Sequence, residues 1–222
     1  MTGNPATPRL EEIWPPYGLT VTAGDLELRV VRESDVAELV ALVQSGIHAP
    51  DRMPFYIPWT AAPPEQLPAE YFRYVARTKA SLTPEHWSLQ FAVRRNGEML
   101  GIQGLDADRF PVTRSTETGS WLALRHHGRG IGTRMRQAVC AFAFDVLAAE
   151  EITSGAFLDN PASLAVSRKV GYRPDGVHRL DRQGTVALNQ RLVLTPAAFV
   201  RGDPIEVTGS EALLAFLGLS ET

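Results

Sequence analysis

The sequence predicts an α/β chain of the α+β type, with a mixed, mainly antiparallel sheet flanked by helices. Three observations carry that expectation. An alternating apolar run from Leu26 to Val31 leads directly into Val36, Leu39, Val40 and Val43, which recur at helical spacing behind a capping Ser34. Leu89, Phe91 and Val93, then Met99 to Leu105, flank Asn96-Gly97, a pair that supplies the positive φ angles of a tight hairpin. A further strand, Glu117 to Leu124, runs into a glycine-rich turn and a long helix with Ile131, Met135, Ala138, Val139, Phe142 and Val146 on its apolar side.

The remaining elements follow in chain order. Residues 1–24 are rich in Pro, Thr and Gly, and Trp14-Pro15-Pro16-Tyr17-Gly18 predicts an extended lead-in lying across the outside of the domain. His48 to Pro64 carries too many prolines for a regular element and reads as an ordered apolar loop. A second helix is expected over Glu65 to Leu82, with Leu67, Tyr71, Phe72 and Val75 on one side and Pro84 closing the pattern. Ile152 to Leu158 reads as a strand, Asn160 as the cap of a short helix ending at Gly171, and Thr185 to Leu194 as a long strand. Residues 25–201 therefore form the domain. Residues 202–222, with Ile205 to Val207 and a Ser210-capped segment bearing Leu213, Leu214 and Leu217, form a C-terminal appendage.

Composition narrows the function. The chain is 222 residues long, 44% hydrophobic and 21% charged, which is ordinary for one folded core. Its net charge of -3 provides no general attraction to nucleic acid, so no nucleic-acid partner is expected. Cys140 is the only cysteine, which excludes an internal disulfide and a cysteine-rich zinc site. The histidines show no HExxH or similar spacing, and no metal is expected. Met1 to Leu10 lacks the apolar core of a signal peptide and no later stretch has the length of a membrane span, so a cytoplasmic location without membrane contact is expected.

The glycine-rich turn bears the chemistry. Gly128, Gly130 and Gly132 let an anion approach the backbone, and the helix that follows presents unpaired N–H groups and the positive end of its dipole. That arrangement is a phosphate cradle, with Arg129, Arg134 and Arg136 as candidate cations, only some of which can face one ligand. The alternative is a strand-to-helix turn that uses glycine for shape alone. No Gly-Lys-Ser/Thr follows, and the Rossmann glycine spacing is not met.

Downstream lies Asp159-Asn160-Pro161-Ala162-Ser163-Leu164-Ala165-Val166-Ser167-Arg168-Lys169-Val170-Gly171-Tyr172. Taken with the glycine turn, it resembles the two signature blocks of the GNAT acyltransferases, in particular the RimJ/RimL-like branch that acylates protein N-terminal amines. The family's Gln/Arg-x-x-Gly-x-Gly/Ala block falls on His127 through Gly132, with histidine in place of the usual first residue. Its Asn-x-x-Ser block with a Lys/Arg-x-Gly-aromatic ending falls on Asn160, Ser163, Lys169, Gly171 and Tyr172. The resemblance runs from about Leu26 to about Phe199. It implies the GNAT fold and an acyl-CoA co-substrate, acetyl-CoA or succinyl-CoA, acting on an amine acceptor. The cofactor contacts it implies are His127, Gly128, Arg129, Gly130, Ile131, Gly132, Thr133 and Asn160, with the backbone of Leu122 and Leu124 along pantetheine.

Acyl transfer to an amine needs a proton acceptor, stabilisation of a developing oxyanion, and a proton for the departing thiolate. The resemblance places Glu117 in Glu117-Thr118-Gly119-Ser120-Trp121-Leu122 as the base, with Asp175 as a second candidate; a plain strand-edge or surface role is the alternative for each. It implies Ser163 as the proton source, against a first-turn hydroxyl that satisfies backbone N–H groups. Ser167 stands where many family members have a tyrosine acid. Phe55, Tyr56 and Trp59 either line the acceptor cleft or pack as core, while His126 and His127 have binding or surface roles. His48 to Phe55, Pro58-Trp59 and Gly119-Ser120-Trp121 are similar to an actinobacterial subgroup with a suggested succinyl-CoA donor. That donor's carboxylate calls for a cation, Arg52 first, then Arg109 and Arg114. The acceptor is a protein N-terminus, a lysine or a small molecule; a noncatalytic acyl-CoA sensor or interaction module is the rival reading, and the resemblance allows a homodimer.

Overall fold

The computed structural model describes residues 7–220. Its strands are β1 (Thr20–Ala23), β2 (Leu26–Val30), β3 (His86–Arg95), β4 (Glu98–Asp108), β5 (Ser115–Leu122), β6 (Glu151–Phe157), β7 (Arg173–Arg182), β8 (Thr185–Leu194) and β9 (Ile205–Thr208). The helices are α1 (Leu10–Ile13), α2 (Val36–Gln44), α3 (Leu67–Ala80), α4 (Phe110–Thr113), α5 (Ile131–Asp145), α6 (Pro161–Val170) and α7 (Ser210–Phe216). All nine strands join one sheet in the order β7-β8-β6-β5-β4-β3-β2-β1-β9. This is the mixed, mainly antiparallel sheet flanked by helices that the sequence predicts.

One pairing is parallel. β5 meets β6 only over Ser115↔Glu151, Thr116↔Ile152 and Glu117↔Thr153, after which the two strands diverge. The sheet therefore opens a wedge-shaped gap whose apex lies at Glu117.

Each face has its own core. On one, Leu89, Phe91 and Leu105 of the sheet pack with Met135, Val139 and Phe142 of α5, and Phe91 meets Phe142 edge-on at 6.1 Å between ring centroids. On the other, Ala92, Met99 and Ile102 pack with Leu39 and Val40 of α2 and with Tyr71 and Val75 of α3. The alternation of β3 and β4 sends successive side chains to opposite layers, and burying each large one contributes about 1.5–3 kcal/mol.

Several elements depart from the sequence reading. Residues 10–13, expected to be extended, form α1, and Pro15–Gly18 a 3₁₀ turn that suits proline's fixed φ. Thr20–Ala23 is a sheet strand with Val21 and Ala23 in the main core, so only part of the lead-in lies outside; residues 1–6 fall beyond the described residues. The appendage also enters the sheet: β9 pairs with β1, Leu213 and Leu217 are fully buried, and Phe216 stacks against Trp14 at 5.2 Å. Strand β7 had no signal, because Arg173 to Arg179 are all exposed and lack an apolar alternation. The strand expected to reach Leu124 stops at Leu122, since Leu124 starts a 3₁₀ turn and gives its N–H to the Gly46 carbonyl at 3.1 Å.

Candidate active site

The glycine turn links β5 to α5 and adopts the shape that its glycines permit. Gly128 and Gly130 have φ of 73° and 77°, the left-handed region where side chains are strained, and Gly130 caps α5. A Cβ at either would meet nothing within 4 Å, so open space lies above the turn. Thr133 and Arg134 both donate to the Gly130 carbonyl, at 3.1 Å each. Among the described residues, the amides of Gly128, Arg129, Gly130, Ile131 and Gly132 have no protein acceptor. A contiguous run of unpartnered N–H groups at the positive end of a long helix fits a pyrophosphate.

Of the three candidate cations, Arg129 alone is free beside the turn and exposed. Arg134 instead pairs with Asp25 at 2.6 Å and Asp203 at 2.9 Å, and Arg136 points into the protein with 3% exposure. Helical spacing places consecutive arginines on different faces, so sequence proximity to the turn did not determine their partners. His127 is exposed and its Nε2 lies 3.0 Å from the Leu122 carbonyl. His126 is buried 3.3 Å from a Glu98 oxygen, and burial depresses its pKa.

The edge of β5 that precedes the turn also presents backbone to the gap. Ala123 donates to Leu100 of β4, and antiparallel pairing alternates, so Gly119 and Trp121 also point their backbone groups at β4. Ser120 and Leu122 point the other way, into the gap that β6 has left. Leu122 thus points its N–H into the gap while its carbonyl accepts from His127, Leu124 has its N–H occupied, and Ser120 is a further gap-facing position absent from the sequence reading.

At the apex, cross-strand register assembles a polar trough on the α3 face. Glu117 opposes Asp106, Gly119 opposes Gly104, and Trp121 opposes Ile102. Glu117 is exposed and makes no hydrogen bond or ion pair among the described residues. The half-buried Asp106 accepts from Gln90 Nε2 at 3.3 Å. Burial pushes its pKa up to about 6, aided by the charge of Glu117 and opposed by hydrogen bonds from Ser88 and Gln90. Gly119 is exposed and leaves a bare floor. Trp59 lies 6.2 Å from Trp121 and 5.8 Å from Tyr71, and Phe55 stacks on Trp59 at 5.2 Å. Tyr56 stays exposed. Burial raises the Tyr71 and Tyr74 hydroxyls, and Asp106 raises Tyr74 further.

On the far side of the gap, Asn160 caps α6 by accepting the Ser163 N–H at 3.2 Å. The Asn160 oxygen is therefore committed to the helix. Ser163's own hydroxyl makes no hydrogen bond among the described residues, so capping does not explain it. Asp175 is paired with Arg191 at 3.0 Å on β7, the outermost strand of that side. Arg52 lines a polar cavity of about 470 Å³ with Asp51, Met53, Asp159, Arg182, Gln183 and Thr185. Arg114 is spent on the Leu147 carbonyl and the Phe110 ring, and Arg109 holds the N-cap position of α4 by its left-handed backbone, with no side-chain capping bond. Cys140 is fully buried, its thiol pushed up to about 11 by burial, which leaves it inert. Among the described residues, no helix is long and apolar enough to cross a membrane and no His/Cys/Asp/Glu group has metal-holding geometry.

A family model described as Acetyltransferase (GNAT) domain matches residues 25–173. The chain is similar in structure to Mycobacterium smegmatis RimJ in complex with CoA-disulfide, with 21% identity over 91% of this chain and 95% of that one and a TM-score of 0.70. It is also similar to RimL, a ribosomal L7/L12 alpha-N-protein acetyltransferase in complex with coenzyme A, at 20% identity, 81% and 99% coverage and a TM-score of 0.66. A spermidine N-acetyltransferase SpeG chimera from Vibrio cholerae and hSSAT gives 15% identity, 78% and 97% coverage and a TM-score of 0.63. At these identities the structural likeness shows the fold.

Proposed function

Because the chain belongs to the GNAT acetyltransferase family, we propose that it moves an acyl group from acyl-CoA to a primary amine at the apex of the β5–β6 gap. One observation carries this reading: the unpartnered amides of Gly128 to Gly132 open α5 on the turn that follows the gap-facing edge of β5 at Ser120 and Leu122, and the same strand bears an unpaired carboxylate, Glu117, at the apex of the gap. Acyl-CoA supplies an activated thioester when bound. Gly128 to Gly132, with Arg129, would hold its pyrophosphate, and the backbone of Ser120 and Leu122 would face pantetheine.

The amine arrives as an ammonium ion in the trough floored by Gly119. Glu117 accepts its proton, directly or through water, and the neutral nitrogen can then attack the thioester carbonyl. A C–N bond forms and the C–S bond breaks; the sulfur takes a proton from the free Ser163 hydroxyl, the new amide nitrogen sheds its second proton to solvent, and Ser163 regains one from solvent. Proton transfers of this kind contribute about 10² to 10⁴-fold each. A binding-only module would require neither an unpaired Glu117 nor a free Ser163, which favours catalysis.

For the acceptor we favour a protein α-amine. Its support is the open trough, with Glu117 and Gly119 both exposed, together with the likeness to RimJ and RimL; the SpeG likeness makes polyamines the second class to test. For the donor, acetyl-CoA is the simplest case. Arg52, in the cavity beside Asp159 at the end of β6 and without an ion-pair partner among the described residues, supports a carboxyl-bearing donor such as succinyl-CoA. Release of free CoA thiol from acetyl-CoA, measured with peptide α-amines and with polyamines, tests the reading. Glu117→Gln is expected to lower turnover about 10² to 10⁴-fold while acyl-CoA affinity stays within about threefold. No thiol release with any amine would leave acyl-CoA binding alone.

A further inference from the structure

Arg136 is the anomaly of the site. Arg32, Arg94, Arg134, Arg182, Arg191 and Arg201 all reach a carboxylate. Arg136 is buried to 3% exposure, and among the described residues no carboxylate lies within ion-pair distance of it. Its guanidinium donates only to neutral oxygens: Nε to Gln103 Oε1 at 3.3 Å, Nη1 to Ser154 Oγ at 3.3 Å, and Nη2 to Ser120 Oγ at 2.8 Å. A buried, uncompensated charge is a cost to folding that an apolar side chain of similar size would remove.

The placement indicates what that cost serves. Gln103, Ser120 and Ser154 belong to β4, β5 and β6, so the guanidinium spans both sides of the gap just beyond its apex. Ser154 passes the link on by donating to the Thr118 carbonyl at 2.9 Å, tying the strands together where their pairing has ended. Side chains of Glu117 and Asp106 occupy the opposite, α3 face. The gap thus has carboxylates on one face and a cation beneath the other. Acyl transfer builds negative charge on the carbonyl oxygen and then on sulfur, and a fixed positive charge in a low-dielectric site stabilises it most.

We propose that Arg136 is a positioning residue for the transfer step, fixing the Ser120 edge of β5 against β6 and holding a positive charge beneath the reacting thioester. This rests on the acyltransferase reading above. Acting through Ser120 and through space, it contributes to the transition state and little to acyl-CoA binding.

The test compares wild type with Arg136→Met, Arg136→Gln and Arg136→Lys by melting, acetyl-CoA titration and turnover with a saturating amine. Arg136→Met is expected to melt within about 3 °C of wild type or higher, to bind acetyl-CoA within about threefold, and to lose about 10²-fold in kcat. Arg136→Lys keeps the charge and loses the fork, and should recover about tenfold over Met or Gln. A folded Met variant with wild-type kcat overturns the proposal. So does a melting point lowered by more than about 10 °C with equal activity losses in all three, since that describes a brace only. If Met alone fails to fold, Lys against Gln decides: a tenfold gap sustains the proposal and equal rates sink it. Absence of transfer by the wild-type protein removes both this proposal and the acyltransferase reading, an outcome distinct from the others.

Discussion

The two halves of the site are built by opposite means. On the side proposed for the donor, recognition would be made of backbone: the amides of Gly128 to Gly132 and the gap-facing edge at Ser120 and Leu122 belong to a short stretch of chain, and side chains mainly stay out of the way. On the side proposed for the acceptor it would be made of side chains from separate segments: Glu117 and Trp121 of β5, Asp106 of β4, Tyr71 and Tyr74 of α3, and Trp59 of the loop before it. A backbone site tolerates most sequence change except at its glycines. A side-chain site can be altered one residue at a time, which is how one fold serves different acceptors.

The largest expected effect tests the backbone half. Gly130→Asp places a carboxylate in open space above the turn, so the protein should fold while calorimetric binding of CoA falls below detection. Retained affinity in the folded variant would remove the cradle assignment. Next, Ser163→Ala should cut kcat about 10²-fold with acyl-CoA affinity unchanged; a normal rate would return Ser163 to an ordinary helix residue and narrow the side-chain half.

Asp106→Asn probes the carboxylate pair through stability. The folded protein raises the Asp106 pKa from 3.8 to about 6, so it holds the proton more tightly than the unfolded chain. The resulting penalty on the native state is absent below about pH 4, grows toward pH 6 and is full above it. The asparagine variant should therefore be more stable at pH 7.5 by on the order of 1–2 kcal/mol after allowance for solvent screening, with the difference gone by pH 4. Denaturant melts across that range check it, and a pH-independent difference would mean that folding does not raise the Asp106 carboxyl. Smallest of all, Arg52→Met should erase a severalfold preference for succinyl-CoA over acetyl-CoA in side-by-side titrations. Equal affinities in the wild type would leave acetyl transfer alone.

What could be read from the sequence follows the same division. Gly128, Gly130 and Gly132 between a strand pattern and a helix pattern point to the turn proposed as the anion site, because the required geometry is local. Asp106 announces nothing: it trails the apolar run ending at Leu105, and its meaning comes from facing Glu117 across two strands. Arg134 and Arg136 look alike beside the turn, yet one is drawn to Asp25 and Asp203 and the other into the sheet. The parallel contact of β5 with β6 is three residues deep by register, too short to leave a pattern, although it creates the gap. Charge partners and strand register are long-range properties, whereas periodicity records only short-range ones.

The pairing of β9 with β1 bears on solubility. Val21 and Val207 face each other in that pairing, and β9 covers the outer edge of a strand whose other edge is held by β2. A chain cut back to 201 would leave the outward-facing N–H and C=O groups of Thr20 to Ala23, those that pair with β9, without partners, next to the Pro15–Gly18 turn newly stripped of its α7 contacts. Such an edge invites a strand from another copy. β9 covers that edge, and a protein shortened after residue 201 would be expected to fail by aggregating before it failed by losing its chemistry.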